Sequence, residues 1–167
     1  GVTAFAKTSG LSRERAGAFI KTYFSEFRNV REWQERVKRD VRTFGYVETK
    51  TGRRRYLPGI ASGSPRAVSE SERAAVNHPI QGLAADIIKL AMVRVREDLA
   101  RRGWWNDSVR MLLTIHDELL FEVRESMIKE SARAIREIME IAYPLGVPLR
   151  VEVSRGADWG HLERFTF

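Results

Sequence analysis

The residues best suited to chemistry stand together at His116-Asp117-Glu118, between the apolar runs Leu112-Leu113-Thr114-Ile115 and Leu119-Leu120-Phe121. A tight hairpin would carry these three titratable side chains at its apex. An aspartate held there can bind a hard divalent cation through oxygen. Asp is also common in ordinary polar turns. Such turns more often use Asn-Gly or Asp-Gly, and no glycine is present here, so the turn is expected to be strained, as functional sites tend to be. A second group is Thr49-Lys50-Thr51-Gly52-Arg53-Arg54-Arg55-Tyr56. On a strand Arg53 and Arg55 share one face and Arg54 takes the other. Guanidinium binds phosphate bidentately, although charge on an edge strand can equally serve to block aggregation. A third group is Arg73, Asn77 and Gln81, spaced by four residues. On one helix face they could read acceptors on base edges, or form a plain solvent face.

Composition limits the alternatives. The 167 residues are 43% hydrophobic and 31% charged, which suits a soluble globular chain with a real core. Without cysteine there is no disulfide scaffold, thiolate zinc site or cysteine nucleophile. Three histidines (His78, His116, His161) do not suggest a histidine-rich metal cluster. No apolar run approaches the ~20 residues needed to span a bilayer, and no signal peptide is visible. Residues 1–60 hold 14 Lys/Arg against 6 Asp/Glu, and residues 61–167 hold 15 against 16. A basic lobe beside a near-neutral one suggests a polyanionic partner met by the first.

The positioning elements follow from periodicity. Ser12 can cap a helix running to Phe24 or Phe27, with Ala16, Phe19, Ile20, Tyr23, Phe24 and Phe27 inward. Asn29 with Glu32 predicts a capping box for a second helix, buried through Val30, Trp33, Val37 and Val41 and stopped by Gly45. Tyr46–Thr49 and Arg53–Leu57 predict two short strands around a turn with Gly52 at positive φ. Residues 58–69 predict a loop and lobe boundary. Ser69 with Glu72 predicts another capped helix, broken or kinked at Pro79. A long helix to about Arg102 follows, with Ile87, Ile88, Leu90, Ala91, Val95 and Leu99 mostly inward, ended by Gly103. Then come strands Arg110–Ile115 and Glu118–Val123, a helix over 126–142, and a last strand through Leu149, Val151 and Val153. The pattern is α+β: a basic helical lobe with a small hairpin, then antiparallel strands packed against helices.

The fragments Thr-x-x-Gly-Arg-Arg-Arg-Tyr, Glu-Arg-x-Ala-x-Asn-x-Pro-x-Gln-Gly-x-Ala-Ala-Asp and His-Asp-Glu between apolar strands resemble family A DNA polymerases, the DNA polymerase I type. They occur in the family's order, and the likeness continues to Tyr143-Pro144-Leu145, Val151-Glu152-Val153 and Asp158-Trp159. The resemblance implies template-directed transfer of a nucleotide from a dNTP to a primer 3′-OH, with two Mg²⁺ ions held by palm carboxylates. Residues 1–75 would be the end of the fingers and 76–167 part of the palm. Asp117 would be a metal-binding catalytic aspartate, Glu118 its acidic neighbour, and His116 would sit beside the primer terminus. Arg53, Arg54 and Arg55 would lie along the DNA backbone. Arg73 and Gln81 would contact the primer–template minor groove, with Asn77 supporting. The implied setting is the bacterial cytoplasm, at the nucleoid, with no membrane partner.

The departures matter as well. None of the six aspartates lies in the family's Asp-Tyr-Ser-x-x-Glu segment, and no Arg-x₃-Lys-x₇-Tyr-Gly helix is present. Gly1 resembles the glycine ending that helix, so the chain is expected to start just after it. The 167 residues alone are expected to be inactive, and a missing central strand is expected to leave a sheet edge open to self-association. Two other readings stand beside this one: a non-catalytic DNA-binding module, and a metal-dependent nuclease built on His116, Asp117 and Glu118.

Overall fold

The computed structural model describes residues 1–167 and divides into two compact units, Gly1–Ile80 and Gln81–Phe167. In the first, α1 (Val2–Ser9) ends at Gly10 in the left-handed region, and α2 (Arg13–Glu26) is capped by Ser12, whose hydroxyl accepts from the Arg15 N–H at 3.2 Å. The apolar face expected of α2 is mostly uncovered. Ala16 is buried, but Phe19, Tyr23 and Phe27 are exposed. Phe5 of α1 stacks on Phe19 at 5.3 Å, which covers only part of that stripe.

Helix α3 (Arg28–Phe44) follows at once, with Phe27 closing one helix and opening the next. The Asn29–Glu32 capping box does not form, because the helix starts earlier and Asn29 lies inside it. Trp33, Val37 and Val41 face the core as expected, while Val30 is exposed. Gly45, at φ 75°, stops the helix. Strands β1 (Tyr46–Glu48) and β2 (Arg54–Tyr56) pair antiparallel. Val37, Val41, Val47, Leu57 and Ala75 form the core of this unit.

The predicted loop over 58–69 is shorter in the structure. A 3₁₀ turn (Pro58–Ala61) leads into α4 (Pro65–Arg101), a 37-residue helix. Proline at the first helical position needs no N–H partner, so Pro65 and not Ser69 opens it. Ser69 and Glu72 lie within the helix and serve other partners, Arg73 and Arg42. Of the break or kink expected at Pro79, the break does not occur: Pro79 sits inside a continuous α4. An interior proline costs about 3 kcal/mol, and the helix continues past it with Ser71, Ala75, His78 and Gly82 buried on one stripe.

In the second unit, Ala91, Val95 and Leu99 of α4 are buried, whereas Leu90 faces outward. Gly103, at φ 73°, follows the end of α4. Strand β3 (Val109–Ile115) pairs antiparallel with β4 (Glu118–Val123), and α5 (Ile128–Glu140) packs beneath them. Val95, Leu99, Val109 and Ile135 form the second core, flanked by Trp104, Trp105, Met111, Phe121 and Met139. Fully burying a residue such as Leu99 is worth about 1.5–3 kcal/mol.

The final strand predicted at 149–153 is absent. Val151 and Val153 alternate with Glu152 in burial, but a strand needs a neighbour, and here the Val151 N–H donates to the Glu140 carboxylate at 3.2 Å. The pairing occurs just beyond, between β5 (Ser154–Arg155) and β6 (Glu163–Arg164). The fold is α+β, with three separate two-stranded antiparallel ribbons.

Candidate active-site apex and nucleic-acid interface

In the β3–β4 register Ile115 faces Glu118, so the turn consists of His116 and Asp117 alone. His116 has φ 53°. Positive φ at the first central residue alone is the φ signature of a type II′ turn, which favours glycine at that position. The predicted strain is therefore present and falls on His116. The hairpin base is fixed in the second core through Val109, Met111, Phe121 and Val123, while His116, Asp117 and Glu118 are exposed. The strands are less buried than their composition suggests. A register shift between Met111 and Leu113 leaves Leu112 and Leu113 both exposed.

Asp117 and Glu118 line a groove of about 480 Å³ between β4, α5 and residues 150–156. Its apolar wall includes Leu119, Phe121, Ile135 and Met139, and Arg136 and Arg150 border it. No group of three or more His, Asp or Glu side chains is arranged so that it could hold a metal ion. A two-metal pair needs more oxygen ligands than one aspartate and its neighbour provide. The residues present do not by themselves fit the Mg²⁺ pair that the resemblance implies.

The basic hairpin is built differently. Tyr46 pairs with Tyr56, Val47 with Arg55 and Glu48 with Arg54. Val47 is buried and fixes the ribbon to the first core, so Tyr46, Glu48, Arg54 and Tyr56 share the opposite face. Arg54 donates from Nε to the Glu48 carboxylate at 2.7 Å and lies 4.7 Å from the centre of the Tyr46 ring. These contacts, the Glu48 hydrogen bond foremost, raise its pKa further. Arg53, Arg54 and Arg55 are all exposed. Buried Thr49 closes the turn: its N–H donates to the Arg53 carbonyl at 3.0 Å and its hydroxyl accepts from the Arg53 N–H at 3.2 Å. Gly52, at φ 88°, completes it.

Arg73, Asn77 and Gln81 are exposed at four-residue intervals on α4, opposite the buried stripe of Ser71, Ala75, His78 and Gly82. Arg73 donates from Nη1 to the Ser69 hydroxyl at 3.0 Å. His78 Nε2 is buried with no hydrogen-bond partner. The structure thus brings His116, Asp117 and Glu118 together on one turn and the three arginines together on another. Sequence reading placed Tyr46, Glu48, Thr49 and Tyr56 in the hairpin but missed the Thr49 turn bonds, the Glu48–Arg54 pair and the pairing of Tyr46 with Tyr56. Their signal was available in the alternation around Gly52, which puts Tyr46, Glu48, Arg54 and Tyr56 on one side once the register is known.

Residues 1–161 match the family model for DNA polymerase family A. The chain belongs to DNA polymerase family A. The thermostable DNA polymerase I of Thermus filiformis is 47% identical over 150 residues, covering 90% of this chain and 17% of that protein. DNA polymerase I of Rhizobium leguminosarum is 42% identical over 165 residues, covering 95% of this chain and 16% of that protein. The POL domain of Pol1 from M. smegmatis, solved in complex with DNA primer-template and dNTP, superposes with a TM-score of 0.83 at 43% identity, covering 90% of this chain and 26% of that one. This family A chain therefore spans about a sixth of the length of the curated relatives it matches. No helix in it is long and apolar enough to cross a membrane.

Proposed function

We propose that this chain is part of a DNA-directed DNA polymerase, in which nucleotidyl transfer runs from a dNTP to a primer 3′-OH. The observation that carries this reading is the exposed His116-Asp117-Glu118 turn at the tip of a core-anchored hairpin, in a chain of DNA polymerase family A. Residues 1–75 act as the end of the fingers and 76–167 as part of the palm. Asp117 supplies one oxygen ligand for Mg²⁺ in the complete enzyme, with Glu118 as its neighbour and His116 beside the primer terminus. Arg53, Arg54 and Arg55 follow the DNA backbone. Arg73, Asn77 and Gln81 face the minor groove, where A·T and T·A acceptors are alike and a helix can test pair shape without reading sequence. The enzyme works at the bacterial nucleoid.

The 167 residues alone should not extend a primer, because their carboxylates hold half of a cation site at most. Mixing the chain with primed template, dNTPs and Mg²⁺ tests this, and extension would overturn it. The open edges of the β3–β4 ribbon should let the chain self-associate. Light scattering showing a clean monomer at high concentration would count against that. A second reading, a DNA-binding module without chemistry, draws on the absence of a gathered ligand set. It predicts indifference to Asp117→Asn and sensitivity to loss of the arginines. A nuclease would need further carboxylates around Asp117, and none gathers there.

A further inference from the structure

The outer face of the β1–β2 ribbon carries more than charge. Phe44, Tyr46 and Tyr56 form a run of rings, with centroids 6.2 Å apart from Phe44 to Tyr46 and 5.5 Å from Tyr46 to Tyr56. Tyr46 is held in the middle, with the Arg54 guanidinium over its ring. The flanking rings are open to solvent, Phe44 62% exposed and Tyr56 68%. Such a run of exposed rings is the kind of apolar patch that marks a binding surface. The surrounding charge indicates its occupant. Arg54 stands on the ring face, paired with Glu48, while Lys50 and Arg53 stand in the connecting loop, and residues 1–60 carry an excess of eight positive charges. An apolar protein segment would have to strip water from those cations without neutralising them. A nucleic-acid strand supplies phosphates for the cations and flat bases for the rings. A paired duplex keeps its base faces stacked on one another, so only an unpaired strand can use the rings.

We propose that the outer face of this hairpin, with Phe44 at the end of α3 beside Tyr46 and Tyr56, is a stacking platform for unpaired DNA, with Lys50 and Arg53 of the loop holding its backbone. This deepens the polymerase reading by naming the form of DNA the hairpin takes, and it rests on that reading only in the choice of DNA.

The test compares two labelled probes with the 167-residue chain by fluorescence anisotropy. One is a deoxyadenosine strand of roughly a dozen nucleotides; the other is an abasic strand of the same length and charge. The base-bearing strand should bind about tenfold tighter, the scale of one base stacked on an aromatic side chain. Tyr56→Ala should remove that preference and leave abasic binding unchanged, and Tyr56→Phe should keep it. Because Tyr56 is largely exposed, its loss opens no core cavity. A 2-aminopurine placed in the strand should be quenched on binding, and less so with Phe44→Ala. Equal affinity for the two probes, or a preference that survives the double variant Phe44→Ala/Tyr56→Ala, would overturn the platform. If a primed duplex still binds in that case, the polymerase reading stands without the platform; if no DNA binds at all, both fall.

Discussion

The two exposed hairpins use one motif to present opposite charges. The β1–β2 ribbon is basic, and its five-residue loop relaxes through Gly52 and the Thr49 hydrogen bonds. The β3–β4 ribbon ends in an acidic tip, and its two-residue turn forces His116 to positive φ with no glycine to relieve it. A guanidinium reaches phosphate on a long flexible stem and tolerates a loose platform. A carboxylate that must hold a cation at a fixed place has only one methylene of reach, so the backbone itself must be stiff. The strain sits on the hairpin that carries the short carboxylate and is absent from the one that carries the long guanidinium stems.

The sharpest way to break this contrast is to remove the carboxylate proposed as a cation ligand. Asp117→Asn in the complete polymerase should cut turnover on the order of 10³-fold, the scale of losing one preorganised electrostatic contact, while DNA affinity measured by gel shift stays unchanged. Replacing Arg53, Arg54 and Arg55 together by alanine should do the reverse. Affinity should fall about ten- to a hundredfold, and the slope of log affinity against log salt should drop by roughly two to three. If both variants hit the same parameter, the division of labour is wrong.

Acid should separate the units. Asp98 at the end of α4 is buried, which pushes its pKa up, but hydrogen bonds from Arg101 and Arg102 outweigh that and leave it below the ordinary 3.8. Its stabilisation is therefore present above that ordinary value and is lost as pH falls through the lowered one. Asp98→Asn should cost roughly 1–2 kcal/mol near neutrality and little at low pH, read from urea unfolding followed by Trp104 and Trp105 fluorescence. The smallest effects test the turns directly. Gly52→Ala should destabilise by about 1 kcal/mol, and His116→Gly should stabilise by a similar amount. Thermal unfolding of both variants checks the pair, and equal signs would remove the contrast in strain.

Much of this was legible before any coordinates. Short-range signals carried well: Ser12 as a cap, Gly45 and Gly103 as stops, the Gly52 turn, and the strained His116-Asp117 apex all depend on a few neighbouring residues. The errors came where distant packing decides. Pro79 was expected to break or kink its helix, and it sits inside α4 without ending it. Residues 149–153 alternate like a strand, but only the end at Val153 meets the segment after β6, where its carbonyl accepts the Phe165 N–H at 2.7 Å. The apolar stripe of α2 predicted burial, yet periodicity names a face without supplying the surface to cover it. The arginines of the basic hairpin were found from composition. Their partner Glu48 and the rings of Tyr46 and Tyr56 needed the register, which spacing alone leaves open.

The proline inside α4 has one more consequence. It deprives the Ala75 carbonyl of its usual amide donor, and the preceding imidazole, His78, leaves a buried nitrogen unanswered one residue away. The longest element of the molecule therefore has its weakest rung near its centre. Under mild denaturant, solvent deuterium should enter there, around Val76 to Ile80, well before it reaches the amides about Val95, so that this helix melts from the middle outward.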